Sequence, residues 1–90
     1  MLSLHYDIRI SGRVQGVAYR ISARQVATDL GLVGFVRNER DGSVYVEAEG
    51  EKETLDRFVT WLRQGPPYAQ VENVQIASGP VKGFPGFAIR

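Results

Sequence analysis

From Leu4 to Ile10 apolar and polar positions alternate, with Leu4, Tyr6, Ile8 and Ile10 on one face and His5, Asp7 and Arg9 on the other. A period of two over seven residues predicts a half-buried strand. Glycines then punctuate Gly12-Arg13-Val14-Gln15-Gly16-Val17, which reads as a loop. Beyond it Tyr19, Ala23, Val26, Ala27 and Leu30 recur at helical spacing and predict an amphipathic helix, with Gly31 placed to end it. Val33 to Asn38 reads as a second strand, Glu39-Arg40-Asp41-Gly42 as a hairpin loop, and Ser43 to Glu49 as a third strand. An acidic first turn (Glu51, Glu53) then opens a second helix whose stripe is Leu55, Phe58, Val59 and Leu62, stopped by Gly65-Pro66-Pro67. Val71 to Ile76 predicts a fourth strand whose broken alternation suggests a bulge. Gly79 to Gly86 is turn-rich, and Phe87 to Arg90 reads as a short last strand.

The order β-α-β-β-α-β plus a terminal β contains two right-handed β-α-β crossovers with a hairpin between them. That arrangement is an α+β, ferredoxin-like two-layer sandwich: an antiparallel sheet of central order 4-1-3-2 with both helices on one face. The expected polar row His5, Asp7 and Arg9 then faces solvent on the open side of the sheet. Residues 1–90 are expected to form one domain, since neither a linker nor a repeat interrupts the pattern. The fold hosts many unrelated activities and names none of them.

Composition narrows the chemistry. The absence of cysteine excludes a disulfide scaffold, a thiol nucleophile and cysteine-based metal sites. One histidine excludes a catalytic histidine pair, and a net charge of +1 is too balanced for a coat on nucleic acid or an anionic membrane. His5 is expected to be a solvated side chain without metal partners, and Glu47, Glu49, Glu51 and Glu53 a solvated acidic face. The first ten residues lack the unbroken apolar core of a signal peptide, so the expected location is cytoplasmic.

Two places could carry chemistry. The glycine-rich loop runs into a helix N-terminus with Arg13 and Arg20 at its ends, which makes it either an anion cradle or simply a tight strand-to-helix turn. Asn38 ends the second strand, parallel to the first, so it lies at the same edge of the domain as that loop. It is either a neutral amide brought near the anion site or an asparagine starting a turn.

The run Gly12-Arg13-Val14-Gln15-Gly16-Val17-Ala18-Tyr19-Arg20 resembles the first signature of the acylphosphatases, and Gly34-Phe35-Val36-Arg37-Asn38 with Gly42, Val44 and Gly50 resembles the second. The likeness spans nearly the whole chain; Tyr19 stands where phenylalanine is common, and Ala18 fills a variable slot. The resemblance implies hydrolysis of a carboxyl–phosphate anhydride to a carboxylate and inorganic phosphate by direct attack of water, with no metal and no cofactor. It assigns Arg20 to the phosphoryl oxygens, together with the backbone N–H groups of Gln15, Gly16, Val17, Ala18 and Tyr19, and Asn38 to the attacking water. The implied partner is a small acyl phosphate, with inorganic phosphate as product and inhibitor and the enzyme expected to be a monomer. The competing readings are a non-catalytic ligand-binding or regulatory module and an RNA-binding sandwich. The latter needs aromatic side chains on the open face of the central strands, where this chain offers Tyr45 among acidic residues.

Overall fold

A computed structural model describes residues 3–90 and arranges them as β1 (Leu4–Arg13), α1 (Tyr19–Asp29), β2 (Val33–Asn38), β3 (Val44–Gly50), α2 (Lys52–Gln64), β4 (Gln70–Gly79) and β5 (Phe87–Ile89). The sheet order is β4-β1-β3-β2-β5. The four central strands pair antiparallel in the order the topology predicts. β5 adds a parallel pairing on the outer edge of β2, which makes the sheet mixed.

Cross-strand partners share a face, so register decides what the sheet buries. Ile8 and Val36 both oppose Val46, and Ile10 opposes Val44. This apolar face meets Tyr19, Ala23 and Ala27 of α1 and Leu55, Phe58 and Leu62 of α2, all buried. The alanines at 23 and 27 let α1 lie close to the sheet. Val26 and Leu30 sit at the margin of the same core, and the ring of Trp61 packs 5.6 Å from that of Tyr19.

β1 runs three residues past the last alternating position, so Gly12 belongs to the strand rather than to the loop. Opposite it β4 bulges: the register steps from Ser11↔Asn73 to Gly12↔Val71. Gly12 holds φ at +121°, and a Cβ there would collide with the Gln70 carbonyl oxygen, so the position accepts no side chain.

The open face departs from expectation in two ways. His5, expected in solvent, is 1% exposed, and Glu47 and Glu49 are buried with it; Glu51 and Glu53 are exposed as expected. The cause is the connection from β4 to β5, which folds back across the sheet. Phe84 stacks on the His5 ring at 6.3 Å and meets Phe35 edge-on at 5.8 Å. The backbone N–H groups of Lys82 and Gly83 donate to the Glu49 carboxylate at 2.6 and 2.9 Å. Periodicity cannot register this cover, because the residues that supply it lie more than thirty positions away.

Candidate active site

The loop between β1 and α1 holds the one non-glycine residue with positive φ among the described residues. Gly16 takes φ +73° and Ala18 φ +63°. Glycine meets that demand freely, whereas a left-handed alanine costs about 1–2 kcal/mol. Strain of this kind persists where the surrounding structure holds it, and it clusters at ligand clamps. Ala18 is also the residue that caps α1, and it supplies no side-chain hydrogen bond; nor does the first turn carry an acidic residue. The first N–H groups of the helix therefore point out of it with partial positive charge and without a side-chain acceptor. An anion from solution completes such a terminus.

Arg20, half-buried in the first turn of α1, donates from Nη1 to the Arg90 carbonyl oxygen at 3.4 Å. The Arg90 N–H donates in turn to the Val36 carbonyl at 2.8 Å. The Arg20 guanidinium is thus linked, through the backbone of Arg90, to β2. Tyr19 fixes the start of α1 from beneath: its buried hydroxyl donates to the Leu62 carbonyl of α2 at 2.7 Å. Burial pushes the Tyr19 phenol far above its ordinary range, so it stays neutral.

Asn38 opposes Val44, whose side chain is buried on the helix side of the sheet. Asn38 therefore presents its amide on that side too, exposed at the end of β2. One cleft of about 330 Å³ is lined by Gln15, Gly16, Ala18, Arg20, Asn38 and Ile89, among others. Of the residues singled out from the sequence for this site, Val17 packs against the core and Arg13, exposed at the end of β1, does not line the cleft. Ile89 was not anticipated; it reaches the cleft because β5 pairs beside β2, a contact no local pattern encodes. The Gln15 side chain was not anticipated either. Its amide nitrogen donates to the backbone carbonyls of Glu39 at 2.7 Å and Ser43 at 2.9 Å.

Among the described residues no carboxylate or imidazole lines the cleft. The titratable groups converge on the opposite face, where His5, Asp7 and Glu47 bring ligand atoms within 4.8 Å of one another. This corrects the expectation that His5 lacks metal-spaced neighbours. These donors are engaged with each other: His5 Nδ1 lies 2.7 Å from Glu49, His5 Nε2 lies 2.7 Å from Asp7, and the Lys82 ammonium sits 2.8 Å from Glu47. Burial opposes charge on His5, but the hydrogen bonds to Glu49 and Asp7 outweigh it and raise its pKa above 6.5. Two carboxylates flanking one ring need both nitrogens as donors, which only the imidazolium provides.

The fold and cleft together define a ferredoxin-like sandwich with a cleft between its first loop and the end of its second strand. Comparison with known proteins specifies it further. A family model for the acylphosphatases matches residues 6–89. The chain is 49% identical over 80 residues to an acylphosphatase of Acaryochloris marina, covering 89% of this chain and 86% of that one. It is 41% identical to one from Archaeoglobus fulgidus, covering 92% and 93%. The crystal structure of acylphosphatase from Bacillus subtilis superposes with a TM-score of 0.95 at 34% identity, over 97% of this chain and 98% of that one. The chain belongs to the acylphosphatase family.

Proposed function

We propose that the cleft hydrolyses acyl phosphates by in-line attack of a single water held by Asn38 on a phosphoryl group held by Arg20 and the N–H groups of the loop from Gln15 to Tyr19. Acylphosphatase activity, hydrolysis of an acid anhydride, is the activity of this chain; the proposal concerns how its residues perform it. Water oxygen bonds to phosphorus as the phosphorus–acyl oxygen bond breaks, giving a carboxylate and inorganic phosphate. The leaving carboxylate has a conjugate-acid pKa of about 4, so it departs without a protein proton donor. The transition state is loose, and positioning with charge stabilisation carries most of the catalysis. That demand matches a cleft lined by an arginine, an amide and backbone N–H groups.

The carrying observation is that Asn38 and Arg20, on different elements, face one cleft that offers no acid or base among the described residues. The amide oxygen of Asn38 accepts from water while its NH₂ donates to a phosphoryl oxygen. Asn38→Ala is therefore expected to lower kcat with benzoyl phosphate by about 10²-fold or more, with inhibition by inorganic phosphate little changed. A folded variant with unchanged kcat refutes the role and leaves Asn38 as a turn residue. The reading takes residues 1–90 as one domain acting as a monomer. The cysteine-free composition accords with a cytoplasmic location.

A further inference from the structure

We propose that the side-chain amide of Gln15 is a positioning group that sets the distance between the phosphate cradle and Asn38. The inference rests on the reading that Asn38 holds the attacking water. The two halves of the cleft come from strands that do not touch: β1 feeds the loop, β2 ends in Asn38, and β3 lies between them. Neighbouring strands lie about 4.8 Å apart, so the two halves are separated by about 10 Å of sheet. The pairings of β1 and β2 with β3 both end at Val44, opposite Ile10 on one side and Asn38 on the other. Beyond Val44 the ladder no longer holds the cradle against the hairpin of residues 39–43.

On the cleft side Gln15 bridges that gap. Its side-chain nitrogen spends both hydrogens on the hairpin, at Glu39 O and Ser43 O. Glu39 follows Asn38 directly, and its own N–H donates to Ser43 O at 2.8 Å, closing the hairpin at the point where Gln15 grips it. The residue after Gln15 is Gly16, where the cradle turns left-handed. One side chain thus ties the start of the cradle to the backbone next to Asn38. In-line attack needs the water about 3–3.5 Å from phosphorus, and a misplacement of about 1 Å costs about 10²-fold in rate.

Removing the tie spares the fold. Glu39 O still accepts from Gly42 N–H at 3.2 Å, and Ser43 O from Glu39 N–H, so neither carbonyl is left without a partner. Gln15→Met keeps nearly the same volume and cannot donate. It is expected to lower kcat with benzoyl phosphate by about 10- to 100-fold while the inhibition constant for inorganic phosphate stays within about twofold. In an Asn38→Ala background the same substitution is expected to have no further effect, since both remove one function. Gln15→Glu faces two carbonyls with a carboxylate at neutral pH. It is expected to recover part of its rate, relative to wild type, as pH falls and the carboxyl gains a proton to donate, while its Tm at neutral pH stays close to that of wild type; a side chain that only fills space gives no recovery, and one that only holds the fold loses Tm in step with rate. This profile also decides the matter if Gln15→Met is unstable. Wild-type kcat in Gln15→Met, a phosphate inhibition constant that rises in step with the loss, or multiplicative losses in the double variant each overturn the proposal. Full activity in Asn38→Ala instead overturns the water-holding role beneath it.

Discussion

His5→Gln tests how the open face is held together. With His5 protonated the cluster sets two positive groups, His5 and Lys82, against three carboxylates, Asp7, Glu47 and Glu49. Glutamine removes one positive charge and can donate to only some of the carboxylates that the imidazolium serves. Breaking a buried, hydrogen-bonded charge pair costs about 3–5 kcal/mol. The value here falls toward the lower end, because Glu49 keeps two backbone N–H donors and the Asp7 side chain is 38% exposed. The expected loss is therefore about 3 kcal/mol near pH 6, or about 12–24 °C in Tm for a domain of this size. The loss depends on pH in a defined direction. The pKa of His5 is raised by folding, so its contribution is complete below 6.5 and disappears as pH rises through the higher folded value. Urea titrations of wild type and variant at pH 6 and pH 9 should show the gap narrowing at the higher pH. Glu49 shapes the acid side. Burial works against its charge, but the N–H groups of Lys82 and Gly83 and the His5 ring outweigh it and hold its pKa below 4.5. Its contribution is present above 4.5 and is lost as pH falls through the lower folded value. A gap under about 1 kcal/mol at pH 6, or one that widens with pH, refutes the account of a charged His5 holding the carboxylates beneath the connection from β4 to β5, the strap across this face.

Arg20→Ala is expected to reduce kcat/KM for benzoyl phosphate by about 10³-fold or more and to abolish inhibition by inorganic phosphate, with Arg20→Lys recovering little; near-normal turnover in either variant removes the guanidinium from the mechanism. Phosphate release from benzoyl phosphate should be the same with and without a metal chelator, since no side chain lining the cleft among the described residues is a carboxylate or imidazole; loss of rate restored by one added metal contradicts the site. Gly12→Ala should cost about 3 kcal/mol or more, because its Cβ meets the Gln70 carbonyl oxygen, whereas Gly16→Ala meets nothing within 4 Å and should cost only the backbone strain of about 1–2 kcal/mol; equal urea midpoints for the two variants refute the packing argument.

Local pattern was enough for the parts of this protein that local pattern controls. Alternation from Leu4 to Ile10 and the helical stripes through Tyr19 and Leu55 already contain the element order, because one buried face per element imposes those periods. The crossover rule then leaves few topologies for β-α-β-β-α-β, and the observed central order is the expected one. The loop and Asn38 were legible as well, since parallel strands carry their C-terminal ends to one edge. Tertiary structure alone decided the rest. Burial of His5, Glu47 and Glu49 depends on a strap whose N–H groups and Phe84 ring come from the other end of the chain. Ile89 enters the cleft only through a parallel edge pairing, and the Gln15 amide finds its two carbonyls only once β3 has brought the hairpin beside the cradle. Periodicity records which face of an element is apolar. What covers a polar face, and which distant carbonyl an amide reaches, is set by contacts between segments far apart in sequence.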